Sequence, residues 1–166
     1  MTTIAEELSA FVAQTRYEEL PAEVTRDVRL RLLDVLGLAL SASAEPFARQ
    51  MLNLARRWYQ PGGCTAIGLC GGLSAPAAGL VNGTLVHGQD YDDTHIETLI
   101  HASACIGPAA FALAEAHRLS GRELVALAAL GYEVEIRIGL GACPGAQMHA
   151  RGFHTTTLAG ACAVAA

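Results

Sequence analysis

Pro21-Ala-Glu-Val-Thr-Arg-Asp-Val-Arg-Leu-Arg-Leu-Leu-Asp-Val-Leu-Gly-Leu-Ala-Leu-Ser-Ala42 is the stretch that decides the fold class. Proline suits the first turn of a helix, and Val24, Val28, Leu32, Val35, Leu36, Ala39 and Leu40 recur at helical spacing behind it. Beyond Asp34 apolar residues fall on every side, which predicts a helix buried all round in its C-terminal half.

The same grammar extends in both directions. Thr3-Ile-Ala-Glu6 has the form of a capping box, and Leu8, Phe11 and Val12 mark the face of the helix it opens. A third helix fits Pro46 to about Tyr59, stopped by Pro61-Gly62-Gly63. Cys64 to Leu69 reads as a single strand or an extended connection. A fourth helix fits Ala75 to about Gln89, and an acidic, non-periodic stretch follows to His101. A fifth spans about Ala104 to Leu119 with Pro108 near its start, and Ser120-Gly-Arg-Glu123 caps a sixth that runs to about Leu140. A loop is expected from Gly141 to Phe153, including Cys143 and Pro144. His154-Thr-Thr-Thr157 then leads into a helical segment, Leu158 to Ala166, that carries no stop signal. The expectation is an all-α multi-helix bundle, one domain over residues 1–166, whose last helix continues in a longer protein.

Composition agrees. Ala (31) and Leu (22) supply about a third of the 166 residues, a mixture suited to closely packed helices rather than to aromatic, β-branched strands. All 11 basic residues are Arg, so this chain has no Walker-type lysine and no Schiff-base lysine. A net charge of -5 without a basic run argues against a nucleic-acid groove. The uncharged stretch Gly62–Gln89 holds eight glycines with Pro76, Asn82 and Gln89, which is no membrane span. Met1 to Leu8 carries acids where a secretory signal carries bases. The five cysteines lack C-x-x-C spacing and are expected as reduced, packed thiols, and the chain reads as cytoplasmic.

Ionisable residues concentrate in His87-Gly-Gln-Asp90-Tyr-Asp92-Asp93-Thr94-His95, with Glu97 and His101 close behind. In a chain with 16% charged residues this density points to use, against the plainer reading of a solvated loop whose acids cap helices. Two chemistries fit. Imidazole and carboxylate from His87, Asp90, Asp93, His95 and His101 suit Mn, Fe or Zn, as in a metal-dependent hydrolase. The same groups suit metal-free acid–base work on a carboxylate substrate. A second cluster, His149-Ala-Arg151-Gly-Phe-His154-Thr155-Thr156, is either an anion site at a helix start or a simple threonine cap. Trp58 and Tyr59 are expected to pack, His117 to face solvent at a helix end, and Glu133, Glu135 and Arg137 to form a solvated or ion-paired face. A non-enzymatic helical assembly module is the third possibility.

Asn82-Gly-Thr-Leu-Val-His87, Asp90-Tyr-Asp-Asp-Thr-His95 and His101-Ala-Ser103, followed by an Ala-rich helix, resemble the N-terminal helical domain of the MmgE/PrpD family. That family includes 2-methylcitrate dehydratase, cis-aconitate decarboxylase and iminodisuccinate epimerase. Leu33-Asp-Val-Leu-Gly37, Leu119-Ser-Gly121, Gly131-Tyr-Glu-Val134 and Gly152-Phe-His-Thr-Thr156 extend the resemblance through nearly the whole chain. It implies cofactor-free, metal-free lyase or isomerase chemistry on small di- or tricarboxylates, with a 2-methylcitrate dehydratase-like activity favoured and a homodimer or a completing chain as partner. By motif it implies Asp90 and His101 as catalytic residues and Thr94 and His154 as substrate-binding ones. Ala102 stands where the family usually has proline. Family members are well over twice this length, with their lid domain and further basic residues, lysines included, beyond position 166. The 166 residues are therefore expected to be an N-terminal piece, of low activity alone.

Overall fold

Thr3 opens the first helix through a complete capping box. Its Oγ1 accepts from the Glu6 N–H at 3.2 Å while its own N–H donates to Glu6 Oε2 at 2.7 Å. This helix, α1 (Ile4–Gln14), leads through a 3-10 turn (Tyr17–Glu19) into α2 (Ala22–Ala42). The computed structural model describes residues 2–142 and 145–166; the Cys143 and Pro144 portion of the expected loop lies outside them. After α2 come α3 (Pro46–Trp58), a hairpin of β1 (Pro61–Ala66) and β2 (Cys70–Leu73), and α4 (Ala75–His87). Then follow α5 (Ala102–His117), α6 (Gly121–Ala142), α7 (Gly145–Ala150) and α8 (Thr155–Ala165). The fold is mostly helical, as expected.

Helix α5 is the axis of the domain, touching α2, α4, α6, α8 and β1. Its buried face is built from Ala102, Ser103, Ala104, Gly107, Ala110 and Ala112. Small residues let its neighbours come very near. A Cβ on Gly107 would sit 2.7 Å from Val35 Cγ2 of α2, and one on Gly131 of α6 would sit 2.8 Å from Ile106 Cγ2. The alanine-rich composition is thus a packing requirement at these crossings. One apolar cluster joins α2, α3, the hairpin, α4 and α5 around Val35, Leu52, Val81 and Leu85. A second joins α2, α5, α6 and α8 around Val28, Leu32, Ile106 and Val125.

Four expectations are corrected. Beyond Asp34 α2 is not buried all round, because its neighbours cover one side of it; Leu40 stays 54% exposed. Residues 61–73 form a hairpin, not a lone strand, and its second strand, Cys70-Gly-Gly-Leu73, has no β-propensity to announce it. Within the expected loop, Gly145–Ala150 forms α7. Trp58 does not pack: it ends α3 and is 70% exposed. Of the free cysteines, Cys64 is buried and donates to the Ala112 carbonyl at 3.4 Å, while Cys162 is exposed. Among the described residues no helix is long and apolar enough to cross a membrane.

The hairpin is fastened to α4 by Asn82, which is fully buried. Its Oδ1 accepts from the Ile67 N–H and its Nδ2 donates to the Thr65 carbonyl, both at 2.9 Å. One side-chain amide thereby bonds a partly buried donor and a partly buried acceptor of the hairpin, beside an irregular β1–β2 register. Asn82→Leu keeps the volume and removes both bonds. It is expected to cost about 2–4 kcal/mol in denaturant unfolding. A loss below about 0.5 kcal/mol would mean that the amide is not the fastening.

Candidate active site

The polar segment between α4 and α5 is pinned from three directions. The Asp93 Oδ1 accepts from the Ser103 N–H in the first turn of α5 at 3.0 Å, and its other oxygen pairs with Arg31 of α2. His95 donates its N–H to the Ile100 carbonyl at 2.8 Å, and Leu99 closes back onto the His95 carbonyl in a left-handed conformation (φ 53°). The His101 N–H donates to Thr156 Oγ1 of α8 at 3.0 Å. Asp90, just after α4, is also left-handed (φ 57°), a conformation aspartate tolerates better than most residues.

These restraints place Asp92 at the centre of a histidine cluster. Its carboxylate is wholly buried, and both oxygens lie 3.1 Å from His87 Nδ1 at the end of α4. Oδ1 also lies 3.6 Å from His101 Nδ1. Thr94 Oγ1 is 3.3 Å from that same nitrogen. The rings of His87 and His101 are 4.9 Å apart, His154 stands 6.2 Å from His87, and His149 stacks on His154 at 5.8 Å. His101 is the N-cap of α5 and His154 the N-cap of α8; neither ring bonds the backbone of its helix, and His154 Nδ1 lies 3.3 Å from Thr157 Oγ1. Two helix N-termini that carry imidazoles therefore border one cluster, an arrangement that favours anionic groups. His154 is held below the usual histidine range by partial burial first, then by His149, His87 and His101, with Asp90 opposing.

The structure thus brings together Asp90, Thr94, His101 and His154, the four residues singled out by motif. It also separates the five candidate metal ligands. His87, Asp90 and His101 converge, but Asp93 turns to Arg31 and Ser103, and His95 Nδ1 pairs with Thr98 Oγ1 at 2.9 Å. The hydroxyls of Thr155 and Thr156 serve the fold, bonding the Leu99 carbonyl and the His101 N–H. Asp92, the centre of the cluster, sits in the middle of an Asp-Tyr-Asp-Asp run, where spacing alone does not say which acid points inward. Chemically, a buried carboxylate beside an imidazole fixes the ring and its tautomer, which is what proton transfer at carbon requires.

Behind the cluster lies a group that the sequence reading placed in solvent. Glu133 does pair with Arg137 along α6, but Glu135 is fully buried. Neither of its oxygens has a hydrogen-bonding partner among the described residues. The corrective signal was present: Ala128, Gly131, Glu135 and Gly139 line one stripe of α6, and small residues mark it as the inward stripe. Glu135 sits near Gly160 and Cys105, where a Cβ on Gly160 would lie 3.2 Å from its Oε1. Burial first, and the Asp93 charge second, push its carboxyl up to about 8. Burial likewise pushes the Cys105 thiol and the Tyr132 hydroxyl, which bonds Ser103 Oγ at 2.9 Å, up to about 12.

The geometry is that of a mostly helical domain with a buried Asp–His cluster beside helix N-termini. The sequence profile of the MmgE/PrpD N-terminal domain matches residues 6–166, and the chain belongs to that family. The family is of dehydratase and lyase type. Among curated relatives, the chain is 29% identical over 170 residues to the cis-aconitate decarboxylase-like protein oryM of Aspergillus oryzae. The match covers 98% of this chain and 35% of that protein, so the chain spans about a third of the relative's length.

Glu135 makes a pH prediction. A carboxyl raised from 4.5 to about 8 on folding contributes fully below the unfolded value and loses that contribution as pH rises through about 8. Denaturant unfolding between about pH 5 and pH 9 is expected to show stability declining across this range. Glu135→Gln should flatten the decline and gain about 1–2 kcal/mol at the alkaline end. Equal slopes in both proteins would contradict a buried, protonated Glu135.

Proposed function

We propose that these residues carry the proton-transfer half of a lyase acting on small di- or tricarboxylates derived from citrate, with dehydration of a 2-methylcitrate-like acid as the favoured reaction. The supporting observation is the His101 imidazole, held at the start of α5 within 3.6 Å of buried Asp92 and 3.3 Å of Thr94. In this reading His101 takes or delivers the proton at the substrate carbon and exposed Asp90 is the second acid–base group. Thr94 and His154 hold substrate oxygens. Dehydration then removes the carbon-bound proton while the neighbouring C–O bond breaks and hydroxide leaves as water. Decarboxylation, the reaction in the oryM name, instead breaks a C–C bond, releases CO2 and returns a proton to carbon. The same pair of groups serves either.

Carboxylate holders are scarce in this chain. Arg31, which reaches the acidic segment, is occupied by Asp27 and Asp93. The proposal therefore assigns the cationic side of the pocket to further polypeptide, and a cytoplasmic, self-associating protein goes with it. Leu30, Leu33 and Leu40, exposed in one stripe of α2, support pairing with a second copy. Sedimentation should give a dimer that Leu33→Asp with Leu40→Asp converts to monomer; a monomeric parent would reject the pairing.

Activity is tested in a protein that contains this chain in its longer context, with 2-methylcitrate and cis-aconitate as substrates. His101→Ala and Asp90→Asn are each expected to lower kcat at least about 100-fold with the fold retained. Undiminished turnover in both variants would sink the assignment.

A further inference from the structure

We propose that Glu135 makes the contact between α6 and α8 a pH-sensitive latch: α8 lies down on the protonated carboxyl, and loss of that proton lifts α8 away from the site it helps to build. Glu135 is fully buried on the inward stripe of α6, and neither carboxyl oxygen has a hydrogen-bonding partner among the described residues. It faces the middle of α8, where a Cβ on Gly160 would stand 3.2 Å from its Oε1 and 2.5 Å from Cys105 Sγ of α5. A crossing this close leaves no space for the water that a carboxylate needs. A neutral carboxyl tolerates such a place far better than an ionised one.

The ionisable groups that face Glu135 either add to this penalty or stay neutral. Asp93, in the segment before α5, contributes a like charge, and Arg31 of α2 is held by Asp27 and Asp93. Cys105 on α5 and Tyr132 on α6 are pushed up to about 12, so both remain neutral while Glu135, raised to about 8, titrates. Glu133 and Arg137 pair with each other along α6, and Cys162 of α8 is exposed.

The penalty is relieved at α8 because α8 is the least firmly held of the helices around Glu135. Its buried residues, Thr155, Thr156, Ala159, Gly160 and Ala163, are all small, so it brings little apolar surface to the contact. Helix α6, by contrast, is anchored among α2 and α5 through Val125, Ala128 and Val134. Yet α8 supplies Thr156 Oγ1, which receives the His101 N–H at 3.0 Å, and Thr155 Oγ1, which donates to the Leu99 carbonyl at 2.9 Å. It also carries His154 at its N-cap. Lifting α8 therefore removes His154 from the cluster and releases the backbone of His101. The latch stands on this packing; that it governs turnover rests on the lyase reading.

The sign follows from the two protonation states. Below about 4.5 both positions of α8 leave Glu135 protonated, and the latch is at its tightest. From there to about 8 only the lifted position is ionised, so each pH unit raises the lifted fraction by up to about tenfold, and above about 8 the rise levels off.

The test is hydrogen exchange, read by mass spectrometry on peptides of α8 and α4 from about pH 5.5 to about pH 8.5 and corrected for the intrinsic rate at each pH. Protection of α8 is expected to lie at least about tenfold below that of α4 and to fall at least about tenfold across the range. In Glu135→Gln and in Glu135→Leu, neither of which can ionise, α8 protection should stay constant. Equal protection of α8 and α4, α8 protection that ignores pH in the parent, or a decline that persists in either variant would each overturn the proposal. Because no turnover is measured, failure here leaves the lyase reading standing, and failure of the lyase assay leaves the latch standing.

Discussion

The carboxylate of Asp93 adds a polar tie where the apolar faces of α2, α5 and α6 already meet. One oxygen caps an N–H in the first turn of α5, and the other holds Arg31, a side chain of α2. Arg31 in turn lies over the Tyr132 ring of α6 at 5.6 Å, and the Tyr132 hydroxyl returns to Ser103. A loop residue, three helices and a closed circuit of polar contacts thus fix where α5 begins. Since His101 is the residue immediately before that helix, its position follows. Asp92, its neighbour, lies against the histidines instead, with both oxygens 3.1 Å from His87 Nδ1.

This division of labour between adjacent aspartates explains both what could be read from the sequence and what could not. The helices announced themselves through caps and spacing. Thr3–Glu6 and Ser120–Glu123 form their reciprocal bonds as their pattern requires, and Pro21 and Pro46 stand at helix starts. The signals that failed were those that depend on a partner elsewhere in the chain. The strand Cys70–Leu73 exists because β1 and Asn82 hold the hairpin, not because glycines favour a strand. Glu135 looked like a surface acid beside Glu133 because a single charged residue on an inward stripe is invisible to periodicity until α8 covers it.

The site was legible as a motif before it was legible as geometry. Asp90, Thr94, His101 and His154 are spread over 65 positions, and it is the His101–Thr156 bond that brings the last of them beside the first. What the motif did not show was the hierarchy among the residues. His87 and Asp92 form the tightest contact in the cluster, with Asp92 buried, whereas Asp90 is exposed. A buried pair next to an exposed acid suits a site that must hold one group still while the other meets the substrate from solvent.

Asn82 has a chemical consequence of its own. It precedes Gly83, the pairing in which an asparagine amide cyclises most readily and is converted to a carboxylate. Inside α4, buried and with both ends of the amide engaged, the side chain cannot reach the geometry that ring closure demands. An unfolded chain has no such protection, and a carboxylate formed at position 82 would face the Thr65 carbonyl with no proton to offer. Conversion at this one residue therefore records the time a molecule has spent unfolded, and each converted molecule is less able to fold again.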